Sequence, residues 1–450
     1  MIRYRHSSCT FFTSLLLTIF WLFSQYGLAE IYQANTGNYR SLLDGLAPGD
    51  TLRLDAGDYQ MGLPIEGLNG AEETPIIISG PDDGPPAVFW ARECCNTVSI
   101  NNSSYVEIRN LEINRQGLPA EAVVDAVKAE GTSQWAHHIT LENLRIYNYG
   151  NHQQAVGIST KCPAWNWVIR RNAIYGAGTG MYLGNDDGRD PFVNSVIENN
   201  LIVDSIGYNL EIKHQNDRPS VKDMPRSGTT VIRHNTFSKQ NKGALGDNAR
   251  PNLLVGHWPP SGDGSADTYQ IYGNFFYENP TGEALFQGEG NIALYNNLFV
   301  NSSGPAIHIQ RQYDSPRMIR VFNNTVVANG NGIRVSGGDP IYDQKVVANA
   351  VFAQTPIVAY DTTDNITDAY EAAGDYLADP YSELGQMDLY PQKGSLVGSF
   401  IDREAFEDSY WDWDIDFNGD EQYPEPGVFR GAYAGEGANP GWRPQLEIKP

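Results

Sequence analysis

Between Gly207 and Arg218 the chain reads GYNLEIKHQNDR. In that short run a carboxylate, an amine, an imidazole and a guanidinium follow one another at Glu211, Lys213, His214 and Arg218. Leu210 and Ile212 alternate with Asn209, Glu211 and Lys213, so a strand here would carry those three polar groups on one outer face. An amine brought below its usual pKa by burial or by neighbouring charge can take a proton from carbon, which makes Lys213 the candidate base, with His214 and Arg218 beside it. A guanidinium such as Arg218 or Arg250 can hold a carboxylate through two parallel hydrogen bonds. Oxygen donors at Asn209 and Glu211, joined by Asp186 or Asp187 from an earlier segment, are of the kind that bind Ca2+. Without a ligand, Glu211 and Lys213 read as a solvated ion pair of little energetic weight. His214, His234, His257 and His308 fall in the same central region, but none has the spacing of a transition-metal ligand pair.

Charge narrows the ligand. The chain has 54 acidic and 31 basic residues, a net charge of −23. Such a surface repels nucleic acid and anionic membranes, so neither is expected as a partner. Yet from residue 161 to residue 250 twelve Lys and Arg stand against nine Asp and Glu. A locally basic surface on an acidic body suits an anionic ligand. Tyr182, Trp258, Tyr313 and Phe286 would supply rings for sugar to stack on, and His308 would bind substrate beside them.

The elements that must position these groups are visible as repeats. Short apolar segments recur, each with an asparagine at one place: Asn110, Asn143, Asn172, Asn200, Asn235, Asn274, Asn297, Asn324 and Asn349, spaced 23 to 39 residues apart. In six units a glycine follows seven or eight positions later and opens a second short strand. A unit of this size with two or three short strands cannot bury an apolar face alone, whereas stacked coils can, each strand pairing with its equivalent one rung away. An asparagine repeated at one corner would then form an internal ladder. Period-two alternation excludes a helical solenoid, and the irregular spacing argues against a propeller. The expected fold is all-β, a single-domain parallel β-helix of about ten coils. Aligning the glycines places Leu183, Leu210, Leu285 and Ile307 inside, with Gly184, Glu211, Phe286 and His308 in one outward column and Asp186 and Lys213 in the next. Long loops beside that column would wall a groove.

The ends of the chain differ. Arg3 and Arg5, an apolar run from Phe11 to Phe23 and the small-x-small Gly27-Leu28-Ala29 read as a secretory signal over residues 1–29, cleaved near Ala29, which implies a secreted or periplasmic protein. The run is too short for a comfortable membrane span, and no later segment is long and apolar enough to be one. Residues 30–100 form the N-terminal cap and first coils, 101–353 the repeats, and 354–450 an aromatic, acidic covering segment. Outside the signal, Cys94, Cys95 and Cys162 allow one bridge, from Cys94 or Cys95 to Cys162. In the tail, Asp414, Asp416, Asn418, Gly419 and Glu425 match the spacing of a calcium loop, without its flanking helices. A monomer is expected.

The stretches YRSLLDGLAPGDTLRL, DAGDYQ and PIIISG near the N-terminus, and DWDIDFNGDEQYPE followed by GVFRGAYAG in the tail, resemble secreted β-helix proteins of the pectate lyase-like superfamily, in particular lyases of the chondroitinase B and alginate lyase type. The resemblance implies a right-handed helix, an N-terminal cap and a covering C-terminal segment. It also implies β-elimination on an anionic, uronate-containing polysaccharide, assisted by Ca2+. Those lyases carry two acidic calcium ligands on one strand, then the catalytic lysine, with an arginine on the next coil. Here Asn209 and Glu211 match the ligands, Lys213 follows more closely than in that pattern, and GALGDNAR lacks an arginine within its strand. A glycoside hydrolase, a uronan epimerase and a non-catalytic polysaccharide-binding protein remain open on the same scaffold.

Overall fold

Strands of three to five residues, rich in Ile, Val, Leu and Phe, pair in parallel with their counterparts one coil later. A computed structural model describes residues 29–131, 135–339, 341–399, 411–421 and 429–450. The expected signal, save Ala29, lies outside the described residues. One face is a fifteen-stranded sheet that climbs from Ile31–Ala34 to Thr362–Thr363, with two of its strands off the main path. Twenty-one further strands form a second sheet that folds into two more faces, joined where Thr325–Val335 and Ala350–Val358 run through both, while Leu377–Asp379 and Asp388–Pro391 make a separate antiparallel pair in the tail. Together the three faces make a right-handed parallel β-helix. The stack has more rungs than the asparagine pattern marks, because the first coils carry no asparagine at the corner.

Burial follows the pleat. On the third face Leu210 and Ile212 are fully buried and pair with Met181 and Leu183 on one side and with Leu253 and Val255 on the other. The glycine alignment is therefore displaced. The outward column is Tyr182, Glu211, Leu254, Gln287 and His308, and Phe286 belongs to the interior. Slipping a strand by one residue exchanges its two faces, and that is what happens to Phe286.

The asparagine ladder runs between the first and second faces. The side-chain amide of Asn172 donates to Oδ1 of Asn200 at 3.0 Å, and the pattern continues through Asn235, Asn274, Asn297, Asn324, Asn349 and Asn365 at 2.9–3.0 Å. Asn110 and Asn143 lie one position earlier, in left-handed backbone outside the ladder, where they bond to each other. Leu144 takes the corner position below Asn172, and its N–H donates to the Asn172 carbonyl oxygen of the side chain.

A five-residue helix, Tyr39–Leu43, buries Tyr39 against Tyr59 and Phe89 and covers the first coils. At the other end both stacks continue past residue 353, through Thr362–Thr363 and Ile366–Asp368. The tail then packs outside the second face. Leu377, Leu389, Phe417 and Tyr433 lie on Phe275 and Leu298, and Leu446 and Ile448 lie on Leu201 and Val203. Asp416 is buried, and its carboxylate accepts N–H groups from Asn418, Asp420 and Ala434, so it closes a turn within the tail. Glu425 lies outside the described residues. Cys94 and Cys95 are joined to each other, and Cys162 is buried and free, so the expected bridge to Cys162 does not form.

Candidate active site

With the tail over the second face, the third face is left open, and a cavity of about 580 Å³ lies on it. Its floor is built by consecutive rungs: Ser159 pairs with Tyr182, and Tyr182 with Glu211. Loops before the strands bring Asp125, Tyr208 and Arg250 to one wall, and Asn185 and Asp186 close the other. Lys128, Lys161, Lys213 and Arg250 line it against Asp125, Asp186 and Glu211.

Two lysines converge on one aromatic ring. The Lys161 amine lies 3.4 Å from the centre of the Tyr182 ring, and the Lys213 amine 5.5 Å from it. Continuing the strand register places Lys161, Gly184 and Lys213 in one column. Gly184 has φ +92, and a Cβ there would meet the Lys213 Cβ at 3.2 Å. Glycine is favoured both by the left-handed backbone and by the Lys213 side chain and Asp190 carbonyl that crowd the position.

Their chemistry differs. Lys213 donates to Glu211 Oε1 at 2.9 Å. Lys161 has no hydrogen-bond acceptor among the described residues. Burial, opposed in part by Asp186, Glu211 and Asp125, brings its amine down to about 8. Glu211 is buried and its carboxyl is pushed up by desolvation, with Lys213, Lys161 and Arg250 opposing. Asp125 is raised by burial too, against hydrogen bonds from the Val156 N–H and the Ser159 hydroxyl. Burial also raises the phenols of Tyr182 and Tyr208, so both stay protonated across the neutral range.

Of the residues singled out in the sequence, Lys213, Glu211, Tyr182, Arg250 and Asp186 meet in this cavity. The others do not. Asn209 is turned inward, its amide donating to the carbonyls of Ile202 and Ser238, which removes it from Glu211 as a metal ligand. Asp187 lies outside the lining and accepts the Arg189 N–H within its own turn. Trp258 is fully buried and stacked on Tyr269, and Phe286 is fully buried in the same core, so neither offers a face to sugar. His308 sits three rungs from Glu211, roughly 14 Å along the axis at the usual strand spacing. His214 lies beyond Lys213, stacked under Tyr313 at 4.1 Å, and burial lowers it to about 4.

Arg218 is drawn away altogether. Its guanidinium is buried against Asp267 and also donates to the Pro225 carbonyl at 2.6 Å, pinning the long loop that follows the strand. Breaking a buried pair leaves an uncompensated charge, so Arg218→Ala should destabilise the fold by about 3–5 kcal/mol in urea unfolding. The cleft chemistry should survive in the fraction that stays folded.

The donor set does not fit calcium. The Glu211 oxygen is already taken by an ammonium, a second ammonium lies beside it at Lys161, and Asn209 is absent from the site. Among the described residues no group of three or more His, Cys, Asp or Glu side chains converges. Lys161 is the residue that reading the motif alone misses. Aligning GISTK, GMYLG and NLEIK by strand would have placed it above Lys213.

No protein-family model matches the chain, and no curated protein matches it. Among solved structures, a GH136 lacto-N-biosidase from Eubacterium ramulus superposes with a TM-score of 0.52 at 12% identity, covering 76% of this chain and 68% of that one. A PL6 family polysaccharide lyase from Pseudopedobacter saltans gives 0.44 at 10% identity over 76% and 94% of the two chains. A pectate lyase gives 0.44 at 14% over 90% and 89%. At 12% identity the first of these likenesses is one of fold.

Proposed function

We propose that the third face binds an anionic, uronate-containing polysaccharide and that the cleft cleaves it by β-elimination without a metal. The observation that carries this is the Lys161 amine: lowered to about 8, without an acceptor among the described residues, and grouped with Lys213 and Arg250 in one cavity. In the step, neutral Lys161 takes the C5 proton, the C5–H electrons form the C4=C5 double bond, and the C4–O4 bond breaks. Tyr208, which lines the cleft and is protonated, donates a proton to the leaving O4. Lys213 and Arg250 face the C6 carboxylate, where negative charge grows as the proton leaves, and so take the part that a cation would play. Glu211 holds the Lys213 ammonium in place.

Turnover should therefore persist in excess chelator, and added Ca2+ should not raise it. The test is ultraviolet absorbance of the unsaturated uronide end across alginate, pectate and glycosaminoglycans, with and without chelator. Absence of signal on every uronan would end this reading. A second reading rests on Asp125 and Glu211, two carboxyls raised by burial in one cavity, as the acid needed for glycoside hydrolysis would be. It predicts chain cleavage with saturated ends only. Export fits either reading, and no described helix is long and apolar enough to cross a membrane.

A further inference from the structure

One end of the cleft wall hangs from a turn made by two adjacent cysteines. Glu93 and Cys94 form a two-residue turn, closed by the Cys95 N–H on the Arg92 carbonyl, and Cys94 is bonded to its own neighbour Cys95. Cys94 is exposed and Cys95 half-buried. The next residue, Asn96, lines the cleft. Its side-chain oxygen accepts the Asp125 N–H at 3.2 Å, and its amide donates to Glu130 Oε1 at 3.4 Å. The Thr97 N–H donates to the Asp125 carbonyl at 3.1 Å. Glu130 in turn holds the Lys128 amine at 3.0 Å. Asp125 and Lys128 both line the cleft, so the turn fixes the position of two of its charged groups from the preceding coil.

A bond between adjacent cysteines closes a small ring that contains their own peptide unit. Most backbone conformations of the two residues are excluded while the ring is closed, and opening it returns that freedom to the chain. The third cysteine takes no part: Cys162 is buried, and burial pushes its thiol up to about 12, so it offers no thiolate at neutral pH. We infer that the Cys94–Cys95 bond is a thiol-exchange site through which a small dithiol loosens the cleft wall, so that polymer binding depends on redox state. A thiolate of the dithiol attacks the exposed Cys94 Sγ, and the electron pair of the broken S–S bond leaves on Cys95 Sγ, which takes a proton from water. The second thiolate then displaces Cys94 Sγ and closes the reagent's own disulfide, so two electrons pass from the dithiol to the cysteine pair. The inference rests on the cleft being the polymer's site and not on the elimination chemistry.

Thiol titration in denaturant, hydrogen exchange and polymer retardation test it together. Dithiothreitol should reduce the folded protein and expose two more thiols than the untreated protein shows. Exchange at the Asp125 and Thr97 amides should then quicken by about 5–30-fold, the factor that follows when one or two residues regain backbone freedom in the open state. Amides of the asparagine ladder should keep their rates. In affinity electrophoresis, retardation by a uronate polymer should weaken on reduction and recover on reoxidation. The double variant Cys94→Ser/Cys95→Ser should match the reduced protein without reagent and ignore dithiothreitol. Two extra thiols before any reductant, resistance of the folded protein to the dithiol, or unchanged exchange after complete reduction would each overturn the inference. Faster exchange with unchanged retardation would contradict the redox dependence of binding. If no uronate polymer retards either form, the polymer reading of the cleft fails, and the exchange rates still decide whether the dithiol loosens its wall.

Discussion

Lys161→Ala should lower kcat by about 10²–10⁴-fold on whichever polymer the wild type cleaves, the loss expected when a positioned proton acceptor is removed. Lys161→Arg separates charge from basicity. Arginine keeps the positive charge over Tyr182 but stays protonated, so it should be as inactive as alanine. The pH profile carries the same sign. Only the neutral amine accepts a proton, so kcat/KM should fall about tenfold per pH unit below the Lys161 value of about 8 and level off above it. Initial rates of unsaturated-end formation, on variants whose circular dichroism matches wild type, read all three. A Lys161→Ala enzyme within a few-fold of wild type would transfer the base role to another group, Lys213 first.

Asn274→Ala should destabilise the scaffold about as much as Arg218→Ala, by at least about 3 kcal/mol in chemical denaturation. Asn274 Oδ1 accepts the main-chain and side-chain N–H groups of Asn235, and its amide donates to Ile232, Tyr272 and Asn297. All lie in the interior, so truncation leaves buried donors and acceptors without partners, at about 1–3 kcal/mol each. Against a typical total of roughly 5–15 kcal/mol that is a large fraction. Asn143→Ala is the control. It removes an exposed bond and puts alanine into the left-handed turn at the outer corner, so it should cost about 1–2 kcal/mol, less than Asn274→Ala.

The contrast between these two asparagines shows what the sequence could carry. Both follow an apolar run, and pattern alone gives them one role. The corner differs by a single residue: Asn172 follows Arg171, which takes the left-handed turn, whereas Asn143 takes that turn itself and leaves the inner position to Leu144. Fold class survives such an error because it rests on many repeats at once. A site residue does not. Phe286 moves from groove to core on a slip of one position. Arg218 is close to Glu211 in sequence, yet an ion pair with Asp267, 49 residues further on, decides where its guanidinium goes. Lys161 shows the opposite case. It stands 50 residues before Glu211, outside any contiguous motif, and only the stacking of rungs brings it to Lys213.

The central claim is that lysines, with no metal, drive elimination in the cleft, and the mass of the released fragments tests it most directly. Digests of a uronate-containing polymer, made in excess chelator by wild type and by Lys161→Ala, are compared by mass spectrometry. The expected result is wild-type fragments whose new non-reducing ends are one water lighter than hydrolysis would leave, and no such fragments from Lys161→Ala. Fragments of full hydrolytic mass, or unsaturated fragments that appear only when Ca2+ is restored, would contradict the account.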